Sequence, residues 1–331
     1  MKNLVSTFML VALVALNTIT VFSGTWKQKD WQDSYSNGNL IANKENKWER
    51  IEDNWYYFDE KGYTSIGWKL IESKWYYFSH DGVMQTGWLN SSLGWYYLGE
   101  NGAMHIGWIF DQQKWYYLDV NGLLQTGWTE VNNEWYYFNE SGVMQVGWVF
   151  KDGHWFYINQ QGQMQRGWIN VDSKWYYLNN NGYMMTAWVY LDSHWYYFNP
   201  DGSMAQSWMN LGAWYYFETN GTMVSGWKKI DGRWYHFENA GDKIGSMTFG
   251  WLQENDVWYF LNDKGIMVTE WLDWNGEWYY FNDTGVMMTG WIGYKGKLYY
   301  LYSSGAMAYN TVINGYILDE TGAWVGTKSN S

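Results

Sequence analysis

A tryptophan recurs every 20 residues along most of this chain. Trp68, Trp88, Trp108, Trp128, Trp148, Trp168, Trp188 and Trp208 stand 20 apart, and Trp227, Trp251, Trp271 and Trp291 follow at intervals of 19, 24, 20 and 20. Trp48 adds one step towards the N-terminus. A fixed period of this length implies an array of small units, each unable to bury its apolar face alone. Seven residues after most of these tryptophans comes a triplet such as Trp75-Tyr76-Tyr77, and seven after the start of the triplet comes Gly-x-Met, as in Gly82-Val83-Met84. The unit reads Gly-Trp, five or six residues, Trp-Tyr-Tyr, a polar loop, Gly-x-Met.

Each unit has the pattern of a β-hairpin. Aromatic and β-branched runs flank short turn signals such as Asp152-Gly153, Asp231-Gly232 and Asn275-Gly276, pairs that tolerate the positive φ of a type I′ turn. With Asp152-Gly153 as the turn, Lys151 faces His154, Phe150 faces Trp155 and Trp148 faces Tyr157. Side chains alternate along a strand, so Trp148, Phe150, Trp155 and Tyr157 share one face, and Val149, Phe156 and Ile158 share the other. The second glycine, as at Gly82 and Gly102, marks the turn into the next hairpin. One such hairpin is not stable alone. The expected fold is therefore all-β: a solenoid, or superhelix, of stacked hairpins built from 20-residue aromatic repeats. The 24-residue interval before Trp251 inserts four residues around Asp242-Lys243-Ile244-Gly245, expected to mark a bend between a long array, 44–240, and a short one, 241–331.

Aromatic residues make up 22% of the chain, with 29 Trp and 31 Tyr, whereas cores are ordinarily filled with aliphatic side chains. Burial of one face explains part of this. It does not explain why Trp recurs at both ends of the hairpin. Trp is the best side chain for holding a cation over a π face, and aromatic cages are the usual sites for quaternary ammonium groups. Such a group donates no strong hydrogen bond and suits a box of electron-rich faces. Two Trp from one hairpin, a Tyr from the next and a polarizable Met would make one.

With these motifs the repeats resemble those of bacterial choline-binding modules over about residues 44–323. The end segment resembles that family's closing repeat: Tyr299-Tyr300-Leu301-Tyr302-Ser303-Ser304-Gly305-Ala306-Met307-Ala308, then Asn310-Thr311-Val312 and Gly322-Ala323-Trp324. The likeness is to the all-repeat surface proteins that carry no hydrolase. It implies a superhelix of hairpins, with choline of phosphocholine-decorated teichoic and lipoteichoic acids bound between consecutive hairpins. Carried over by position, each cage takes the Gly-Trp tryptophan, the triplet tryptophan and the last Tyr of the following triplet. The implied sites in the long array are Trp68, Trp75, Tyr97 and Met84; Trp88, Trp95, Tyr117 and Met104; Trp108, Trp115 and Tyr137, where Leu124 replaces Met; Trp128, Trp135, Tyr157 and Met144; Trp148, Trp155, Tyr177 and Met164; Trp168, Trp175, Tyr197 and Met184; and Trp188, Trp195, Tyr216 and Met204. After the insertion come Trp251, Trp258, Tyr280 and Met267, then Trp271, Trp278, Tyr300 and Met287. Trp48, Trp55 and Tyr77 form a further candidate with Thr64 in the Met place. Three junctions depart from the pattern and are expected to be structural. Trp208 and Trp214 would receive His236, Trp227 and Trp234 would receive Phe260 with Lys243 near the Met place, and Trp291 faces Leu298 instead of a second Trp.

The rest of the sequence narrows the function classes. A net charge of −12 argues against nucleic acid, whose binders carry basic stripes, and against charge-driven docking on an anionic membrane. There is no Cys, hence no disulfide framework and no thiolate metal site. The five histidines, His80, His105, His154, His194 and His236, sit at unrelated points of the repeat, none in a metal-binding pair. No catalytic constellation, cofactor or metal is expected. Lys2 followed by the apolar run Leu4 to Leu16 gives residues 1–24 the form of a secretory signal peptide, and 25–43, with Trp26, Trp31 and Tyr35, that of a degenerate cap. The expected location is outside the cell, attached non-covalently to a Gram-positive wall. Two other functions compete. Glucan-binding repeats share the Gly-Trp and Tyr-Tyr spacing but typically lack the second Trp, which is kept here from Trp55 to Trp278. A surface role, as an adhesin or a partner of host proteins or cell-wall enzymes, is compatible with choline binding.

Overall fold

The computed structural model describes residues 46–328; the expected signal peptide and N-terminal cap lie outside that range. Among the described residues there are thirteen two-stranded antiparallel sheets and one three-stranded sheet, each pairing strands adjacent in sequence. Contacts divide the chain into two compact units between Gln125 and Thr126. The hairpin of Gly147–Lys151 and His154–Ile158 has the register expected from its turn, with Lys151 opposite His154, Phe150 opposite Trp155 and Trp148 opposite Tyr157. Asp152 and Gly153 have φ of 51° and 80°, as a type I′ turn requires. Glu72 and Ser73 make the same bend at 47° and 64° without a glycine, so the dipeptide signals mark only some of the turns.

The loop after each hairpin is held by its own side chains. Asn139 Oδ1 accepts from the backbone N–H groups of Ser141 and Val143 at 3.0 and 2.9 Å, an Asx-type closure. The chain then returns to the preceding hairpin. The Met184 N–H donates to the Trp155 carbonyl at 2.8 Å, and Met204 does the same to Trp175 at 2.7 Å. Neighbours are thus joined through main chain as well as rings. The glycine of the next turn is required by this arrangement. Gly202 has φ of 81°, and a Cβ there would lie 2.2 Å from the Met184 sulfur.

The most deeply buried part of the core is one position repeated. From the second hairpin onward the residue after the triplet is fully buried: Phe78, Leu98, Leu118, Phe138, Ile158, Leu178, Phe198, Phe217, Phe237, Leu261, Phe281 and Leu301. It stands opposite the residue before the first Trp, as Phe78 does with Gly67. Each such side chain contributes about 1.5–3 kcal/mol through burial. The inserted residues form one turn of 3-10 helix, Gly241–Lys243. Met247 beyond it still donates to the Trp214 carbonyl at 2.7 Å, so the insertion leaves the link between neighbours intact. Thr311–Ile313, Tyr316–Leu318 and Trp324–Thr327 form the closing three-stranded sheet.

Candidate functional site

In eight hairpins the two tryptophans form a corner. Their ring centroids lie 6.0–6.5 Å apart with interplanar angles of 78–88°, in the pairs 48/55, 108/115, 148/155, 168/175, 188/195, 208/214, 251/258 and 271/278. The triplet Trp is nearly half open to solvent in most hairpins, as with Trp175 at 44% exposure. A ring held so open is not core. It is a wall with one face free, and two such walls at right angles direct their electron-rich faces towards one volume.

The ring that the next hairpin sets against the first tryptophan is one residue before the tyrosine the resemblance names. Trp148 lies 4.9 Å from Tyr176, Trp168 5.0 Å from Tyr196, and Trp271 5.1 Å from Tyr299. Each is the middle residue of the following triplet. Tyr177, Tyr197 and Tyr300, named for those boxes from sequence, stack across strands on the tryptophans of their own hairpins, Trp168, Trp188 and Trp291, at 5.2, 5.3 and 5.2 Å. Tyr97, Tyr117, Tyr137, Tyr157, Tyr216 and Tyr280 do likewise with Trp88, Trp108, Trp128, Trp148, Trp208 and Trp271. The reason is alternation. One hairpin presents its Trp face to the opposite face of the next, and that face carries the middle residue of the triplet.

The methionine shifts for the same reason. The Met beside a Trp pair follows the next hairpin, because its N–H bonds back to the earlier triplet Trp. Met164, Met184 and Met204 therefore join Trp135, Trp155 and Trp175, and Met84, Met104, Met267 and Met287 join Trp55, Trp75, Trp234 and Trp258. Leu124 takes this place beside Trp95. Met144 lies over Gly162, where an added Cβ would be 2.2 Å from its sulfur. The sequence reading named neither the middle tyrosines nor Met223, Met247 and Met307, whose N–H groups donate to the carbonyls of Trp195, Trp214 and Trp278. Counting back four residues from the following Gly-Trp tryptophan finds Met223 and Met247.

The Trp48 candidate and the Trp208 junction, the second of them expected to be structural, have the same ring arrangement. Trp48 and Trp55 have Tyr76 at 4.9 Å from Trp48, with Met84 on the same apolar cluster. Trp208 and Trp214 have Tyr235 at 4.9 Å from Trp208 rather than His236, and Met247 beside them. A cavity of about 500 Å³ is lined by Trp271, Trp278, Tyr294, Tyr299, Met307, Tyr309 and Glu320, among others. Burial pushes the hydroxyls of Tyr76, Tyr96, Tyr116 and Tyr196 above their usual range, so these walls stay uncharged.

At the Trp227 junction, expected to be structural, Tyr259 lies 4.9 Å from Trp227 as at the other junctions. The Trp227 indole N–H donates to Glu254 at 2.7 Å. His236 stands in the cross-strand place of the usual Tyr, 5.1 Å from Trp227. It is buried, its Nδ1 lies 2.8 Å from Thr248 Oγ1, and Nε2 has no hydrogen-bond partner. Thr248 donates to Glu238 at 3.1 Å, which leaves its oxygen free to accept from His236 Nδ1. Burial lowers its pKa against the pull of Glu254 and Glu238. Below about pH 6.5 the unfolded chain takes up a proton that the folded chain refuses, and stability falls until the folded pKa is reached. His236→Tyr is expected to flatten this loss, measured by urea unfolding between about pH 7.5 and about pH 5.5. An unchanged pH slope would place the titrating group elsewhere. Among the described residues no group of three or more His, Cys, Asp or Glu is arranged to hold a metal, and no helix is long and apolar enough to cross a membrane.

Comparison with known proteins follows the same repeats. A family model described as a choline-binding repeat matches residues 65–105, 125–166, 165–208, 210–249 and 268–311. One described as a putative cell wall binding repeat matches 46–63, 106–124 and 250–267. Among solved structures, choline binding protein F of Streptococcus pneumoniae is 32% identical, covering 85% of this chain and 98% of its own, with a TM-score of 0.45. CbpJ of Streptococcus pneumoniae is 31% identical over 84% of this chain and 99% of its own, with a TM-score of 0.32. The modular autolysin LytC of Streptococcus pneumoniae is 26% identical over 68% of this chain and 52% of its own, with a TM-score of 0.46. No match was found among curated proteins.

Proposed function

The chain belongs to the choline-binding repeat family, and from that premise we propose that it binds choline on the teichoic and lipoteichoic acids of a Gram-positive cell wall through the boxes at its hairpin junctions. Binding rather than catalysis is its activity. The protein works outside the cell, held to the wall by the repeats of the 44–240 and 241–331 arrays. The observation that carries this reading is the open right-angled tryptophan corner. Its faces suit a trimethylammonium group, which is weakly hydrated and has no N–H to donate. Trp68, Trp75, Trp88, Trp95, Trp128 and Trp135 occupy the same repeat positions and are assigned the same role.

A sugar bound on its own, with no cation seated beside it, would need hydrogen-bonding groups next to a stacking ring. At the Trp148–Trp155 corner the rings in contact are Phe150, Tyr157 and Tyr176, and Met184 bonds back to Trp155, which favours the cation. The test is to titrate the purified chain with choline and with glucan oligomers while following tryptophan fluorescence. Choline is expected to change the emission with millimolar affinity, about −4 kcal/mol, and glucan to leave it unaltered. The reverse pattern would replace choline by a sugar. A surface role towards host proteins or wall enzymes is compatible with this anchorage, with the outward faces of the hairpins as its display.

A further inference from the structure

The fourth residue of each hairpin's first strand lies on the Trp face, opposite the triplet Trp, as Phe150 stands opposite Trp155. Along the first eight full repeats it alternates strictly. Leu70, Phe110, Phe150 and Tyr190 occupy it in every second hairpin, 40 residues apart. Asn90, Glu130, Asn170 and Asn210 occupy it in the hairpins between. The apolar set is not core: Phe150 and Tyr190 are 58% and 57% exposed. Nor is it loosely placed. Phe110, Phe150 and Tyr190 lie 5.0, 5.1 and 5.1 Å from Trp115, Trp155 and Trp195, at tilts of 46°, 50° and 52°. One ring geometry is thus built three times, and each copy leaves more than half of its ring in water.

Apart from its contact with the triplet Trp, the ring is left open to water. Phe150 stands two residues along the strand from Trp148, about 7 Å further towards the hairpin tip. A cation seated between Trp148 and Trp155 leaves the ring for whatever the cation is attached to. A hydroxyl-bearing ring with an apolar C–H face suits it, because that face stacks on the aromatic ring while the hydroxyls remain in water.

We propose that the boxes are of two alternating kinds, and that those rimmed by Phe150 and Tyr190 recognise a phosphocholine together with the pyranose ring that carries it, the sugar stacking on the rim. The boxes rimmed by Asn170 and its counterparts read the cationic head alone. This rests on the choline reading above and adds a second contact to it.

Methionine methyl groups report each box separately. Met184 belongs to the Trp148–Trp155 box, Met204 to Trp168–Trp175 and Met223 to Trp188–Trp195. The full chain, labelled at methionine methyls, is titrated by NMR with phosphocholine and with a phosphocholine-substituted glucopyranoside. The glycoside is expected to bind the Met184 and Met223 boxes about three- to tenfold more tightly than phosphocholine does, and the Met204 box with no such gain. Phe150→Asn should bring the Met184 ratio down to that of Met204, and Asn170→Phe should raise the Met204 ratio. Equal ratios at all three boxes would overturn the rim assignment while leaving the choline reading standing. A gain at all three, unaffected by either substitution, would also overturn it, since the sugar would then be read elsewhere. Methyl signals that ignore phosphocholine itself would overturn both.

Discussion

Excess free choline is expected to release the protein from choline-bearing walls, and 1 M salt is expected to leave it bound. One box supplies little, because a cation–π contact is worth about 0.5–2 kcal/mol. Several boxes on one chain facing a polymer with many cholines gain on the order of 10²–10⁴ through effective concentration. Free choline at a concentration well above the single-box Kd fills the boxes one by one and removes that gain. Charge does not assist retention: the chain carries −12, and the proposed polymer is rich in phosphate. Exposed ion pairs are screened at 1 M salt, where the Debye length is about 3 Å, whereas contacts within an aromatic corner act at shorter range. Truncations that keep several boxes should stay on the wall and be eluted at lower choline. Elution by salt at unchanged choline would show that ionic contacts, and not the boxes, hold the protein.

The fold was legible because the repeat states its own geometry. The 20-residue period gave the array, Asp152-Gly153 gave the turn, and the turn gave the register down to Lys151 opposite His154. The tryptophan corners followed from the same alternation. What alternation within one hairpin could not give was the face its neighbour presents. That depends on how hairpins stack, which no local pattern encodes, so Tyr177 was grouped with Trp148 where Tyr176 stands. The methionine was displaced for a related reason. Its partner is chosen by a main-chain hydrogen bond to the previous hairpin, Met184 to Trp155, and a backbone bond leaves no mark on side-chain chemistry. The core column was legible in principle. Phe198 and its equivalents are apolar in every repeat, but the aromatic signal around them drew attention to residues that turn out to be half exposed.

That distinction between wall and core gives the sharpest test of the architecture. Trp175 and Phe198 serve the same box. Trp175 is one wall, with 44% of its surface open. Phe198 lies beneath, fully buried and 5.6 Å from Trp168. Phe198→Ala removes a large side chain from a packed interior, which costs about 3–5 kcal/mol through lost transfer energy and the cavity left behind. In a stacked array the damage stays near the altered junction, so hydrogen exchange around Trp168 and Met204 should accelerate more than exchange around Trp251. Trp175→Ala removes a ring that water already reaches, and its expected stability cost is the smaller by far. Its effect falls on the ligand, since with one wall gone the corner no longer encloses a cation. Calorimetric titration should count one choline fewer than in the parent chain, with the urea midpoint close to the parent's. A Trp175→Ala chain that unfolds as readily as Phe198→Ala and still binds the full number of cholines would make the second tryptophan a packing residue and leave the boxes without their function.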